Sequence, residues 1–196
     1  MSSHAEIFDA IYRGNVWGSG SGAGSREEVT RGYRSYLHSF LRSNRIGSVV
    51  DLGCGDWQIA RHMDWTGIDY TGVDVSSVAL DSARQFARPG VRFLHANALT
   101  DALPPADLLI AKDVLQHWSN DDILAFLPKL RNYRAALIIN GFPEALMNNL
   151  NQNIATGPYH RPVDLGQTPF NLPGWFVFGF QTEEPKFIYL WTRPAS

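Results

Sequence analysis

Hydrophobic positions change period along this chain. In residues 5–13 (AEIFDAIYR) Ile7, Phe8, Ile11 and Tyr12 recur at helical spacing, which predicts a short amphipathic helix. Residues 26–43 extend that pattern, with Val29, Tyr33, Tyr36, Leu37, Phe40 and Leu41 on one face. Between them lies GNVWGSGSGAGS, with glycines at 14, 18, 20, 22 and 24. A flexible linker is one reading of so much glycine. Asn15 and Trp17 inside it favour the other, a lid that orders over a ligand.

From residue 47 short apolar runs alternate with helical stretches. Strands are predicted in GSVVDL, DYTGVDVS, VRFLHA, ADLLIAKDV and YRAALIIN, and helices from Gln58 to Met63, over Val78–Phe86 and after Ser119. Ser119 has the chemistry of an N-cap, Ile123, Leu124, Phe126, Leu127 and Leu130 form the apolar stripe, and Pro128 is expected to bend or shorten that helix. After Asn140 the alternation lapses. Residues 141–175 hold five prolines and read as loop with one short helix near Glu144–Asn151. WFVFGFQ and PKFIYLWT, on either side of a polar TEE turn, predict a terminal hairpin. Strands and helices in this order indicate βαβ units, hence a single α/β domain over residues 1–196 with a doubly wound, mainly parallel sheet. Residues 1–46 would supply helices and the lid, and 141–175 a loop insertion over the substrate.

Composition narrows the partners. A net charge of -2 and a pI near 6.3 give no electrostatic reason to expect nucleic acid. The single cysteine, Cys54, leaves no internal disulfide and fits a reducing compartment. MSSHAEIF lacks the basic and apolar segments of a secretory signal, and no apolar run approaches a membrane span, so a cytoplasmic location without a membrane partner is expected. The oligomeric state is not legible.

Three features carry candidate binding chemistry. Asp51-Leu52-Gly53-Cys54-Gly55 stands where a strand gives way to a helix, so its glycines allow a tight turn and close backbone approach to a ligand. A dinucleotide fingerprint would need a third glycine, where this chain has Gln58. Asp51 would also repel a pyrophosphate and suits a cationic, amino-acid-like ligand. Asp74, ending the second strand, has the position and chemistry to accept both hydroxyls of a ribose. Asn97, just past the third strand, could meet an adenine edge. Each alone has a bland reading: chance for the glycines, a helix cap for Asp74.

Together, VVDLGCGDWQIA, YTGVDVS and ADLLIAKDVLQHW resemble the successive motifs of class I S-adenosylmethionine-dependent methyltransferases over roughly residues 47–140. That resemblance implies a Rossmann-like seven-stranded sheet ending in antiparallel strands, with S-adenosylmethionine at its carboxyl edge and S-adenosylhomocysteine as product. It places Asp51, Gly53 and Gly55 at the methionine end, Asp74 with Val75 at the ribose, and Asn97 with Ala98 near adenine. Asn97 stands where the family often has an acid. NVWGSGSGAGS resembles a glycine-rich entry segment of some small-molecule methyltransferases, which puts Trp17 at the cofactor, and Lys112 is a further candidate there. The implied activity is methyl transfer to an oxygen or nitrogen of a small molecule. A non-catalytic cofactor-binding module and an NAD-dependent oxidoreductase are the alternatives.

Such a transfer needs a positioned nucleophile and, for a hydroxyl, a base. In AKDVLQHW, spacings of three and four put Asp113, Gln116 and His117 on one face. Asp113 and Gln116 are substrate-binding candidates, and His117 is either a base or a packing residue. The loop adds Tyr159 and Arg161 for substrate and His160 and Asp164 as proton acceptors; the bland reading is a solvated loop. Asp113 and Asp164 could share a divalent cation, but two unlinked carboxylates are weak grounds and no Cys/His spacing suggests a metal.

Overall fold

A computed structural model describes residues 3–194. The chain folds into one seven-stranded sheet, β1 (Ser48–Leu52), β2 (Asp69–Asp74), β3 (Val91–His95), β4 (Ala106–Lys112), β5 (Tyr133–Gly141), β6 (Trp175–Gln181) and β7 (Pro185–Thr192). The strand order is β3-β2-β1-β4-β5-β7-β6. The first five strands pair in parallel, and β7 inserts antiparallel between β5 and β6. Strands β4 and β5 are buried on both faces, which is why ADLLIAK and YRAALIING read as unbroken apolar runs.

Helices cover both faces. α1 (His4–Arg13) is closed by a capping box between Ser3 and Glu6 and buries Phe8 and Ile11. Its Asp9 accepts hydrogen bonds from Ser76 Oγ, Ser77 Oγ and Val78 N, so α1 sits across the start of α3 (Ser77–Ala83). α2 (Arg31–Ser43) covers the opposite face through Tyr33, Leu37 and Leu41. α4 (Asn120–Phe126) begins at a Ser119 cap and passes into a 3-10 helix at Leu127–Asn132, in keeping with the break expected at Pro128.

Two predicted helices come out shorter. Residues 26–30 are turns rather than helix, because Thr30 Oγ1 donates to Arg26 O and Glu27 O and closes the segment locally. Between Gln58 and Met63 only the 3-10 turn Ala60–His62 forms. So short a segment cannot repay helix nucleation, and the Gln58 side chain is drawn to Ser19 O and Asp56. Near residues 144–151 the structure has a 3-10 helix, Glu144–Asn149. None of the described helices is long and apolar enough to cross a membrane.

Candidate active site

A cavity of about 490 Å³ opens at the carboxyl edge of the sheet, within the ~300–1,000 Å³ of small-molecule sites. Its floor is the turn after β1. Gly53 and Gly55 have φ of 68° and 57°, a region that costs a side-chain-bearing residue about 1–2 kcal/mol. A Cβ on Gly53 would stand 2.3 Å from Val114 Cγ2, and one on Gly55 2.2 Å from Ser21 Oγ. The backbone therefore comes closer to its surroundings here than other residues permit.

Asp74 ties this turn to β2: Gly55 N donates to its Oδ2 and Ser76 N to its Oδ1, both at 2.8 Å. Each oxygen keeps a further lone pair for a ligand hydroxyl. Burial raises the Asp74 carboxyl to about 6 despite those bonds. Asp51 is likewise pushed to about 6, by burial first, although the Tyr70 hydroxyl donates to it. Two acids whose ionised forms lack full compensation make this floor receptive to a cation. Val75, Asn97 and Ala98 continue the wall. Asn97 Oδ1 accepts from Leu99 N in a turn, and its side-chain Nδ2 makes no hydrogen bond among the described residues.

The glycine-rich segment lies over the cavity. Trp17 packs its ring against Phe8, Tyr12 and His117 and donates from Nε1 to Pro158 O at 3.1 Å. Ser21 Oγ donates to Asp56 Oδ1 at 2.7 Å, and Lys112 Nζ donates to Gly24 O at 3.2 Å. A linker would make none of these contacts.

The far wall is ionic. Asp113 lies just past β4 at φ 58°, and its two oxygens accept from Lys112 and from Lys186 of β7. Burial opposes its ionisation, but the two ammonium groups hold it well below the usual carboxylate range. Lys186 also donates to Glu184 Oε1 at 2.9 Å, and Glu184 Oε2 lies 3.2 Å from His160 Nε2. His117 Nδ1 lies 3.0 Å from Tyr159 O; a carbonyl only accepts, so Nδ1 carries the hydrogen and Nε2 is an unprotonated acceptor. Burial pulls His117 down to about 4, so it is neutral at neutral pH. Gln116 is buried on the same wall, accepting from Gly141 N.

Three candidates lie elsewhere. Arg161 is only 1% exposed and absent from the cavity wall, and its guanidinium donates to Leu115 O, Gln116 O, Gln152 O and Asn120 Oδ1, pinning the loop to the chain after β4. Tyr159 is 81% exposed and only its carbonyl faces the site. Asp164 turns its oxygens onto its own loop, accepting from Gly166 N and Gln167 Nε2, and is absent from the cavity wall, so it is neither a base there nor a metal partner of Asp113. No group of three or more His, Cys, Asp or Glu among the described residues could hold a metal ion. Sequence reading missed Glu184 and Lys186, both on the cavity wall. The signal for them was a charged EPK run opening an apolar strand, with Lys186 on the same face as Ile188 and Leu190.

A Rossmann-like sheet with this strand order, a glycine turn after β1 and an acid ending β2 defines the class I S-adenosylmethionine-dependent methyltransferase fold. Residues 49–134, from β1 into the start of β5, match the model of a family described as a methyltransferase domain. Among solved structures, the magnesium protoporphyrin IX methyltransferase of Synechocystis PCC 6803, with bound S-adenosylhomocysteine, superposes with a TM-score of 0.65 at 15% identity, covering 97% of each chain. Human N-acetylserotonin methyltransferase, in complex with S-adenosylmethionine, gives 0.63 at 17% identity over 99% of this chain and 61% of its own. A protein solved for the conversion of a disulfide bond into a thioacetal group during echinomycin biosynthesis gives 0.63 at 22% identity over 96% of this chain and 92% of its own. The chain thus spans about three fifths of the human enzyme's length. No curated protein matches the sequence. Two of these structures hold S-adenosylmethionine or S-adenosylhomocysteine, and the residues present here fit such a ligand: a glycine cradle, two buried acids for a cationic group and a ribose, and a cavity of suitable size.

Proposed function

We propose that this chain methylates a hydroxyl of a small molecule. Asp51 and the Gly53–Gly55 turn hold the methionine end of the cofactor, Asp74 and Val75 the ribose, and Asn97 and Ala98 the adenine, with Trp17 closing over them. S-adenosylmethionine, when bound, supplies an electrophilic methyl group. The protein's share is to orient the acceptor, exclude water and take the proton.

The observation that carries this reading is the His160–Glu184 pair on the cavity wall. Glu184 is held ionised: burial opposes that, but the His160 hydrogen bond and Lys186 lower its carboxyl. An ionised carboxylate only accepts, so His160 carries its hydrogen on Nε2 and leaves Nδ1 free to take a proton. His117 also presents a bare nitrogen, but at about 4 it is a weak base, and its part is to hydrogen-bond the acceptor. A hydroxyl acceptor needs such a base; a neutral amine does not need one before it attacks. The small acceptor is supported by the lid, by Pro143 and Pro158 narrowing the cavity, and by the absence of a net positive charge.

The test is incubation with methyl-labelled S-adenosylmethionine and fractionated cell extract, read by mass spectrometry. Label in a small hydroxyl compound is expected. Label only in RNA or protein overturns the substrate class, and cofactor binding without any transfer leaves a binding module instead of an enzyme.

A further inference from the structure

Lys186 is a costly residue where it stands. It is 3% exposed, opens β7 opposite Gly141 of β5, and shares its face with Ile188 and Leu190. Its ammonium donates to Asp113 Oδ1 at 2.7 Å and Glu184 Oε1 at 2.9 Å. Asp113 has a second cation in Lys112. Among the described residues, Glu184 has no other cation within ion-pair distance apart from the His160 ring, whose charge depends on protonation. The two carboxylates therefore depend on Lys186 unequally, and Glu184 depends on it more.

The consequence falls on the imidazole. With Glu184 ionised, the hydrogen between it and His160 sits on Nε2, and Nδ1 is a proton acceptor. Without Lys186, the Glu184 carboxylate loses the ammonium that anchors Oε1 and is no longer held against the imidazole. Nε2–H then lacks its fixed acceptor, the ring hydrogen distributes between Nε2 and Nδ1, and Nδ1 is no longer kept bare to act as base. One ammonium thus selects which nitrogen of His160 is available.

Resting on the methyl-transfer reading above, we propose that Lys186 is a positioning residue that holds the Glu184 carboxylate aimed at His160, fixing the Nε2–H tautomer. Its ammonium is engaged by Asp113 and Glu184, and it acts through Glu184. A purely structural ion pair would stabilise the hairpin without governing the tautomer.

The test is nitrogen NMR of ¹⁵N-histidine-labelled protein at pH 8, with His160 assigned through His160→Gln. Wild type and Lys186→Arg should show the Nε2–H tautomer, and Lys186→Met the Nδ1–H form or a mixture. If Lys186→Met does not fold, Lys186→Gln, which removes the charge but keeps a donor, makes the same comparison. An Nδ1–H wild type, or a folded uncharged variant that keeps Nε2–H, overturns the proposal. Calorimetry with S-adenosylhomocysteine on the same samples separates the two claims. Wild type that fails to bind it refutes the methyltransferase reading, whereas binding with an unmoved tautomer refutes Lys186 alone.

Discussion

Replacing Asp74 with asparagine removes a charge while keeping shape, and the structure says what that does. Both carboxylate oxygens accept a backbone N–H at 2.8 Å, one from Ser76 and one from Gly55. Asparagine keeps one oxygen; its NH₂ would point at the remaining N–H, donor against donor. The lost charge-assisted bond costs about 1.5–3 kcal/mol. Against this, burial has raised Asp74 from 3.8 to about 6, worth about 3 kcal/mol against the charged form, which asparagine does not incur. The two nearly cancel, so the melting temperature should move by only a few degrees. Cofactor affinity has no such offset, because the ribose hydroxyls lose an ionised acceptor and the Gly55 turn loses its tether. Affinity for S-adenosylhomocysteine should fall by about 1.5–3 kcal/mol, roughly 10- to 150-fold. Calorimetry and a thermal melt on one preparation measure both. An unchanged dissociation constant, or a loss of affinity accompanied by unfolding, would show that Asp74 does not act as the ribose acceptor.

Other expectations rest on the same geometry. Because Asp51 and Asp74 sit near 6 in the folded protein and near 4 unfolded, the folded state binds more protons between those values. Their contribution to stability therefore falls as pH rises through that window, while affinity for S-adenosylhomocysteine, which needs the ionised acids, rises; melts and titrations from pH 5 to 8 should show opposite trends. Gly53→Ala forces a φ of 68° on alanine and drives its Cβ to 2.3 Å from Val114, and should lower stability by at least ~1–2 kcal/mol in denaturant unfolding. Gly18→Ala, at φ 83° with nothing within 4 Å of its Cβ, should show the backbone cost alone. Arg161→Met strips four acceptors of their donors and should cost roughly 3 kcal/mol in the same assay, marking Arg161 as a structural clamp.

What was legible in the sequence was local. Apolar runs of strand length, the glycine turn and the acid ending β2 each arise within a few residues and fix the parallel half of the sheet. Helix ends were less legible, because Thr30 and Gln58 turn their side chains to nearby backbone and compete with the helix. The loop cluster misled for a physical reason. Residue type shows that Arg161, Tyr159 and Asp164 have chemistry to offer but not which way they point, and the fold turns one inward as a clamp, one outward, and one onto its own loop. Glu184 and Lys186 meet His160 and Asp113 only because β7 inserts antiparallel beside β5, a pairing across more than forty residues that no local pattern encodes.

Every functional role assigned above depends on the cavity at the carboxyl edge binding S-adenosylmethionine. Titration of the purified chain with S-adenosylhomocysteine by calorimetry, with NAD as control, puts that binding to the test. Saturable one-to-one binding of S-adenosylhomocysteine and none of NAD is expected, whereas binding of NAD alone, or of neither, would contradict the assignment.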